Sequence, residues 1–252
     1  VSSPKSSINA GAAAYSQPAD PYYLAYDETN NRDYATFLNW ANNLGYVTVE
    51  AGYVRGSATS WVNTGALFYQ IDPAGGIRYI DGTFKVRQGM EQDSANFVTW
   101  FGADTYCAYL EVLDPSRDYT LPTEWEWEYA LLAPSADARF DDADYFGDNL
   151  PVSAEPSFWT AFWNVNEGVQ EWTQTVRADL DDAWRVVRGG AGDLYTDYQE
   201  IEKTQQYALT GEARKNIGFR VAIRQLAPLI MTSTETISLS ASGDSRTVAL
   251  TG

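Results

Sequence analysis

The run Leu121-Pro122-Thr123-Glu124-Trp125-Glu126-Trp127-Glu128-Tyr129-Ala130 constrains this chain more than any other stretch. It is a helix start. Thr123 is a capping residue, and Glu126 three positions later can reach back to close a capping box. Pro122 fixes the entry of the chain. Trp127, Ala130 and Leu131 then recur at helical spacing, so the helix has an apolar face that needs a core to lie on.

Pro21–Tyr26 reads as a short strand, and Asp27-Glu28-Thr29-Asn30 supplies cap residues. Tyr34, Phe37, Leu38 and Ala41 follow at i, i+3, i+4 and i+7, the pattern of an amphipathic helix that ends at Gly45. Tyr46–Val49 and Leu67–Ile71 are strand candidates. Pro73-Ala74-Gly75-Gly76 is a turn that returns the chain into Ile77–Ile80, and Lys85-Val86-Arg87 follows. Trp100, Ala103, Cys107 and Leu110 share a face of a second helix, which makes Cys107 a small core residue rather than a nucleophile. Gly189-Gly190 marks a close approach of backbone or a positive φ. Near the end, Thr236–Ser240 and Arg246–Leu250 alternate apolar and polar around Gly243-Asp244, a hairpin signal. The expected organisation is an extended arm over 1–20, a main domain over 21–226, and a β-hairpin, or the start of a further β domain, over 227–252.

Composition removes whole classes of function. There are no histidines and one cysteine, Cys107. A Ser-His-Asp or Cys-His catalyst, an internal disulfide and a cysteine zinc site are all excluded. The formal charge of −17, from 34 acidic and 17 basic residues, argues against nucleic acid or an anionic membrane as partner. No apolar run is long enough to span a bilayer. The chain opens on Val1 rather than Met, consistent with a removed leader or a trimmed chain, and its Ser/Thr-rich make-up points to an extracellular or cell-surface location.

Val169-Gln170-Glu171-Trp172-Thr173, Arg185-Val186-Val187-Arg188-Gly189-Gly190 and Ile217-Gly218-Phe219-Arg220-Val221-Ala222 follow the helix start in order. Taken together, and with Glu28-Thr29-Asn30 plus Tyr34–Asn39 upstream and Trp100, Ala103, Tyr106-Cys107 and Leu110 between, these segments resemble the formylglycine-generating enzyme (sulfatase-modifying factor) family over residues 21–224. The resemblance implies an α+β fold, a variant of the C-type lectin fold, here with a C-terminal β-hairpin appendage. Trp127, Tyr129, Trp172 and Phe219 then read as core aromatics. Arg188 and Arg220 are expected to pair with Glu126, Glu128 or Glu171, since a buried carboxylate needs a partner.

The same resemblance sets an expectation for chemistry. Active members oxidise a substrate cysteine to formylglycine with two copper-binding cysteines, one just before and one within the Gly-Phe-Arg segment. Here Val221 stands at the second position, and residues 191–216 contain no cysteine. A Cu(I) site needs thiolates or clustered Met and His, and the chain has 2 Met. Members that hold iron through histidines are excluded by the same count. The chain is therefore expected to be a catalytically silent member without a cofactor. Calcium is the one ion left to weigh. Asp141, Asp142, Asp144 and Asp148, with Asp137 before them, offer oxygen ligands but lack EF-hand spacing, and a solvated acidic loop accounts for them better. At the family's other calcium position Gly168 replaces the asparagine.

With catalysis set aside, recognition and assembly remain. Silent members associated with diversity-generating retroelements vary between the Arg-Gly-Gly and Gly-Phe-Arg segments. In this chain that window holds Asp193, Tyr195, Asp197, Tyr198, Gln199, Glu200, Gln205, Gln206 and Tyr207. Tyrosine among short polar residues suits a binding surface for a protein or glycan, though an ordinary polar loop has the same composition. A structural subunit joined to copies of itself by exchange of terminal strands, Val1–Asp20 or Thr234–Leu250, is the alternative. A carboxylate-based enzyme is a third.

Overall fold

The computed structural model describes residues 22–25, 27–132, 169–177, 181–189, 205–224, 238–241 and 244–247, the side chains of 129–132 and of the last two stretches excepted. Local chemistry sets the helix starts. Asn30 accepts the Asp33 amide at 2.9 Å and opens α1 (Asn31–Asn43), which buries Tyr34, Phe37, Leu38 and Ala41 as their spacing requires. Thr99 accepts the Gly102 amide at 3.1 Å and opens α2 (Trp100–Leu113), burying Ala103, Cys107 and Leu110. In α3 (Glu124–Leu132) the capping box forms in both directions: the Thr123 amide donates to the Glu126 carboxylate at 2.6 Å, and the Glu126 amide to the Thr123 hydroxyl at 3.1 Å.

The strands make several small sheets. β2 (Val47–Glu50), β3 (Tyr53–Gly56) and β4 (Leu67–Gln70) form an antiparallel meander. β5 (Ile77–Ile80) pairs with β6 (Thr83–Val86). The turn at 73–76 thus does not fold β4 onto β5: β4 pairs with β3 and β5 with β6. The signal that decides this is Asp81-Gly82. Both residues have positive φ, 52° and 77°, as a two-residue hairpin turn of the primed type demands, and glycine takes that conformation without strain.

Chain ends far apart in sequence close the domain. β1 (Tyr22–Leu24) pairs with β12 (Ala222–Arg224), which pairs in turn with β7 (Asp118–Thr120), all antiparallel. The other main sheet has the order β10-β9-β8-β11, from β8 (Gln170–Val176), β9 (Trp184–Gly189), β10 (Gln206–Leu209) and β11 (Ile217–Gly218). β11 lies parallel to β8, and the rest of that sheet is antiparallel. Gly189 at the end of β9 has φ of 75°, as its motif suggested. β13 (Ser238–Ala241) and β14 (Asp244–Thr247) pair antiparallel, with Ser238 opposite Thr247.

The core is aromatic. Tyr34, Phe37, Tyr106 and Phe219 meet with ring centroids 5.4–5.9 Å apart, in tilted or edge-on arrangements. Trp172 is fully buried and donates its indole N–H to the Val98 carbonyl at 2.9 Å, which ties β8 to the entry of α2. Helix α2 crosses β4 at Gly102, where an added Cβ would lie 2.1 Å from the Phe68 carbonyl oxygen. The expected arm over 1–20 lies outside the described residues, as does Tyr129's side chain.

Candidate functional site

The acidic residues of α3 and β8 meet the arginines of β9 and of the chain between β11 and β12 inside the protein. Arg220 is fully buried. Its Nε and Nη2 each lie 2.7 Å from the two oxygens of Glu171, a bidentate pair, and its Nη1 donates to the Ala25 carbonyl at 3.0 Å. The Trp127 indole N–H adds a bond of 2.8 Å to the same carboxylate. Arg188, also buried, reaches Glu128 and Glu124 with Nη1 at 2.6 Å each. Its guanidinium carbon stands 5.2 Å from the centre of the Trp127 ring. The expected partners are therefore met for Arg220 with Glu171 and for Arg188 with Glu128. Glu126 differs: its capping geometry turns its carboxylate to Arg224, with contacts of 3.2 and 3.1 Å. Glu124 takes the place beside Arg188 because it precedes Glu128 by one helical turn.

A second carboxylate joins the Arg220 pair from the N-terminal side. Glu28 is 5% exposed. It accepts the Val169 amide at 3.1 Å and the Ser94 hydroxyl. Burial, and then the charge of Glu171, push its pKa up from 4.5 to about 7, against the pull of Arg220. In the sequence Glu28 stands only among cap residues. Nothing in its local spacing signals burial, because its neighbours come from 66 and 141 positions away.

Three residues of the Tyr/Asp/Gln-rich window are described. Gln205 donates to Glu124 and so joins the Arg188 cluster. Gln206 is exposed at the start of β10. Tyr207 is half-buried, with the Arg177 guanidinium 3.8 Å from its ring centre. The structure thus brings Gln205 and Tyr207 against neighbouring charged side chains. Asp193, Tyr195, Asp197, Tyr198, Gln199 and Glu200 lie outside the described residues. So do Asp141, Asp142, Asp144 and Asp148. Among the described residues, no group of three or more His, Cys, Asp or Glu side chains is placed to hold a metal ion. No helix among them is long and apolar enough to cross a membrane.

The residues present do not fit the family's copper. Val221 is an apolar side chain, 1% exposed. Cys107 sits in α2, 2% exposed, and burial pushes its thiol well above the usual range, aided by Asp104, Glu111 and Asp118.

The family model of the sulfatase-modifying factor enzyme 1-like domain matches residues 9–225. Among solved structures, CarF is 15% identical over 82% of this chain and 87% of its own, with a TM-score of 0.50, a likeness of fold. PvdO from Pseudomonas aeruginosa is 14% identical over 76% of this chain and 77% of its own, with a TM-score of 0.42. Treponema denticola variable protein 1 is 16% identical over 70% and 92%, with a TM-score of 0.39. No curated protein matches the chain.

Proposed function

The chain belongs to the sulfatase-modifying factor enzyme 1-like family, and on that premise we propose that it is an extracellular recognition module built on the family scaffold, without the family's oxidase activity. The observation that carries this reading is the setting of its one thiol. Cys107 is buried in α2 with its proton held tightly, so it supplies neither a nucleophile nor a copper ligand. The closing-motif charges point the same way. Arg188 and Arg220 are engaged in buried ion pairs with Glu124, Glu128 and Glu171, a use of charge that holds elements together. Recognition then falls to the edge of the sheet at β10, where Gln206 is exposed and Tyr207 offers a ring braced by Arg177. The ligand class in this reading is a protein or a glycan.

Two measurements test it. A cysteine-containing peptide incubated with the protein, copper(I) and dioxygen is expected to keep its thiol, as followed by mass spectrometry. Conversion of that cysteine to an aldehyde would sink the reading. Arrays of immobilised glycans and extracellular proteins should show a bound partner, with the affinity falling about thirtyfold in Gln206→Ala/Tyr207→Ala, the scale of one hot-spot contact. A partner bound equally by that double variant would place recognition elsewhere.

A further inference from the structure

The β5–β6 hairpin carries a charge arrangement that works against its own stability. Arg78 and Lys85 stand directly opposite each other in the ladder. Like charges so placed repel. Both side chains are exposed, and neither makes an ion pair among the described residues. Strand alternation sets Ile80 on the same face as Arg78, while Ile77 and Phe84 are buried on the other. Beside them lies a groove of about 450 Å³, lined by Arg78, Lys85 and Arg87 together with Ile80 and Met90, and by no carboxylate. Arg87 donates through Nη2 to the Pro73 carbonyl, and its Nε is a buried donor with no acceptor among the described residues. A groove lined by three cations and no carboxylate is unexpected in a chain with a net charge of −17.

We propose that this groove binds a short acidic saccharide, with a carboxylate or sulfate group held between Arg78 and Lys85. The cations supply charge-assisted donors for either oxyanion, and a bound anion would cancel the repulsion between them. The volume lies in the range of small-molecule sites and exceeds what a bare oxyanion fills. Ile80 and Met90 give aliphatic contact for the C–H faces of a sugar ring. No aromatic side chain lines the groove, so it lacks the platform on which a nucleotide base would stack. The acidity of the whole chain limits ligand length, since a long polyanion would run onto a repelling surface. The groove lies on different strands from β10, and its assignment stands apart from the recognition surface proposed there.

The test is calorimetric titration with digalacturonic acid, a sulfated heparin disaccharide, uncharged cellobiose and inorganic sulfate, at about 20 and about 150 mM salt. One of the acidic disaccharides should bind, more weakly at the higher salt, and cellobiose should not. Which one binds separates carboxylate from sulfate recognition. Arg78→Gln/Lys85→Gln should lose at least about tenfold in affinity while its thermal midpoint holds or rises, because the repulsion is gone. Lys85→Glu, which pairs with Arg78, should abolish binding and raise the midpoint. Absence of binding by both acidic disaccharides at about 10 mM, or affinities unchanged in both variants, would overturn the proposal. Inorganic sulfate bound as tightly as a disaccharide would overturn the saccharide assignment.

Discussion

Glu28 and Glu171 show how one arginine governs two carboxylates. Glu171 has the bidentate contact with Arg220, and Glu28, buried beside them, holds a proton up to about pH 7. A folded-state pKa raised above the unfolded value means that the native state binds the proton more tightly. The stability this group contributes is therefore fully present below about pH 4.5 and is lost as pH rises through about 7. The loss is about 3 kcal/mol at most. Glu28→Gln keeps an acceptor for the Val169 amide without the charge, so its stability relative to the parent should climb between those pH values, read from urea midpoints. A difference that stays flat with pH would mean that Glu28 does not titrate in that window. Glu171→Gln acts the other way. It leaves Arg220 buried without its countercharge and should cost about 3–5 kcal/mol in urea unfolding, a large share of a domain's typical stability. A cost under about 1 kcal/mol would show that the pair contributes little.

Among the elements, α2 is held where Gly102 lets it touch β4. Helix propensity alone predicts that Gly102→Ala stabilises by about 1 kcal/mol. The structure predicts the opposite. The new methyl would lie 2.1 Å from the Phe68 carbonyl oxygen and 2.6 Å from the Tyr34 hydroxyl, so the helix must lift from the strand. A net loss of about 1–3 kcal/mol, seen as a lower urea midpoint, is the expected result, and a gain would mean that α2 and β4 part at little cost. Helix starts were legible in the sequence at Asn30 and Thr123, because capping is settled within three or four residues; for α2 only the apolar face was, and the Thr99 cap emerged with the structure. Strand partners were less so. The turn at 73–76 suggested that β4 and β5 pair, whereas Asp81-Gly82 directs β5 to β6 and leaves β4 to β3.

At the scale of the whole molecule, β1 closes on β12 with Tyr22 opposite Arg224, and β7 completes that sheet. The family match ends at residue 225, beside this closure, and β13 and β14 follow it. If Thr234–Leu250 joins copies by strand exchange, deleting residues 228–252 should shift light scattering to a smaller species and leave the unfolding transition of the body in place. An unchanged oligomeric state after that deletion removes Thr234–Leu250 as the exchanged strand. The sequence by itself determined the family, the helix starts, the aromatic content of the core and the lack of the paired thiols and histidines that the family's metals require. These are matters of residue identity and of spacing over a few positions. Only the tertiary structure decided that Glu126 turns to Arg224 while Glu124 joins Arg188, that Glu28 is buried against Glu171, and that Arg78 faces Lys85 beside an open groove. Each of these depends on sheet register or on packing between distant segments, and periodicity along the chain carries no record of either.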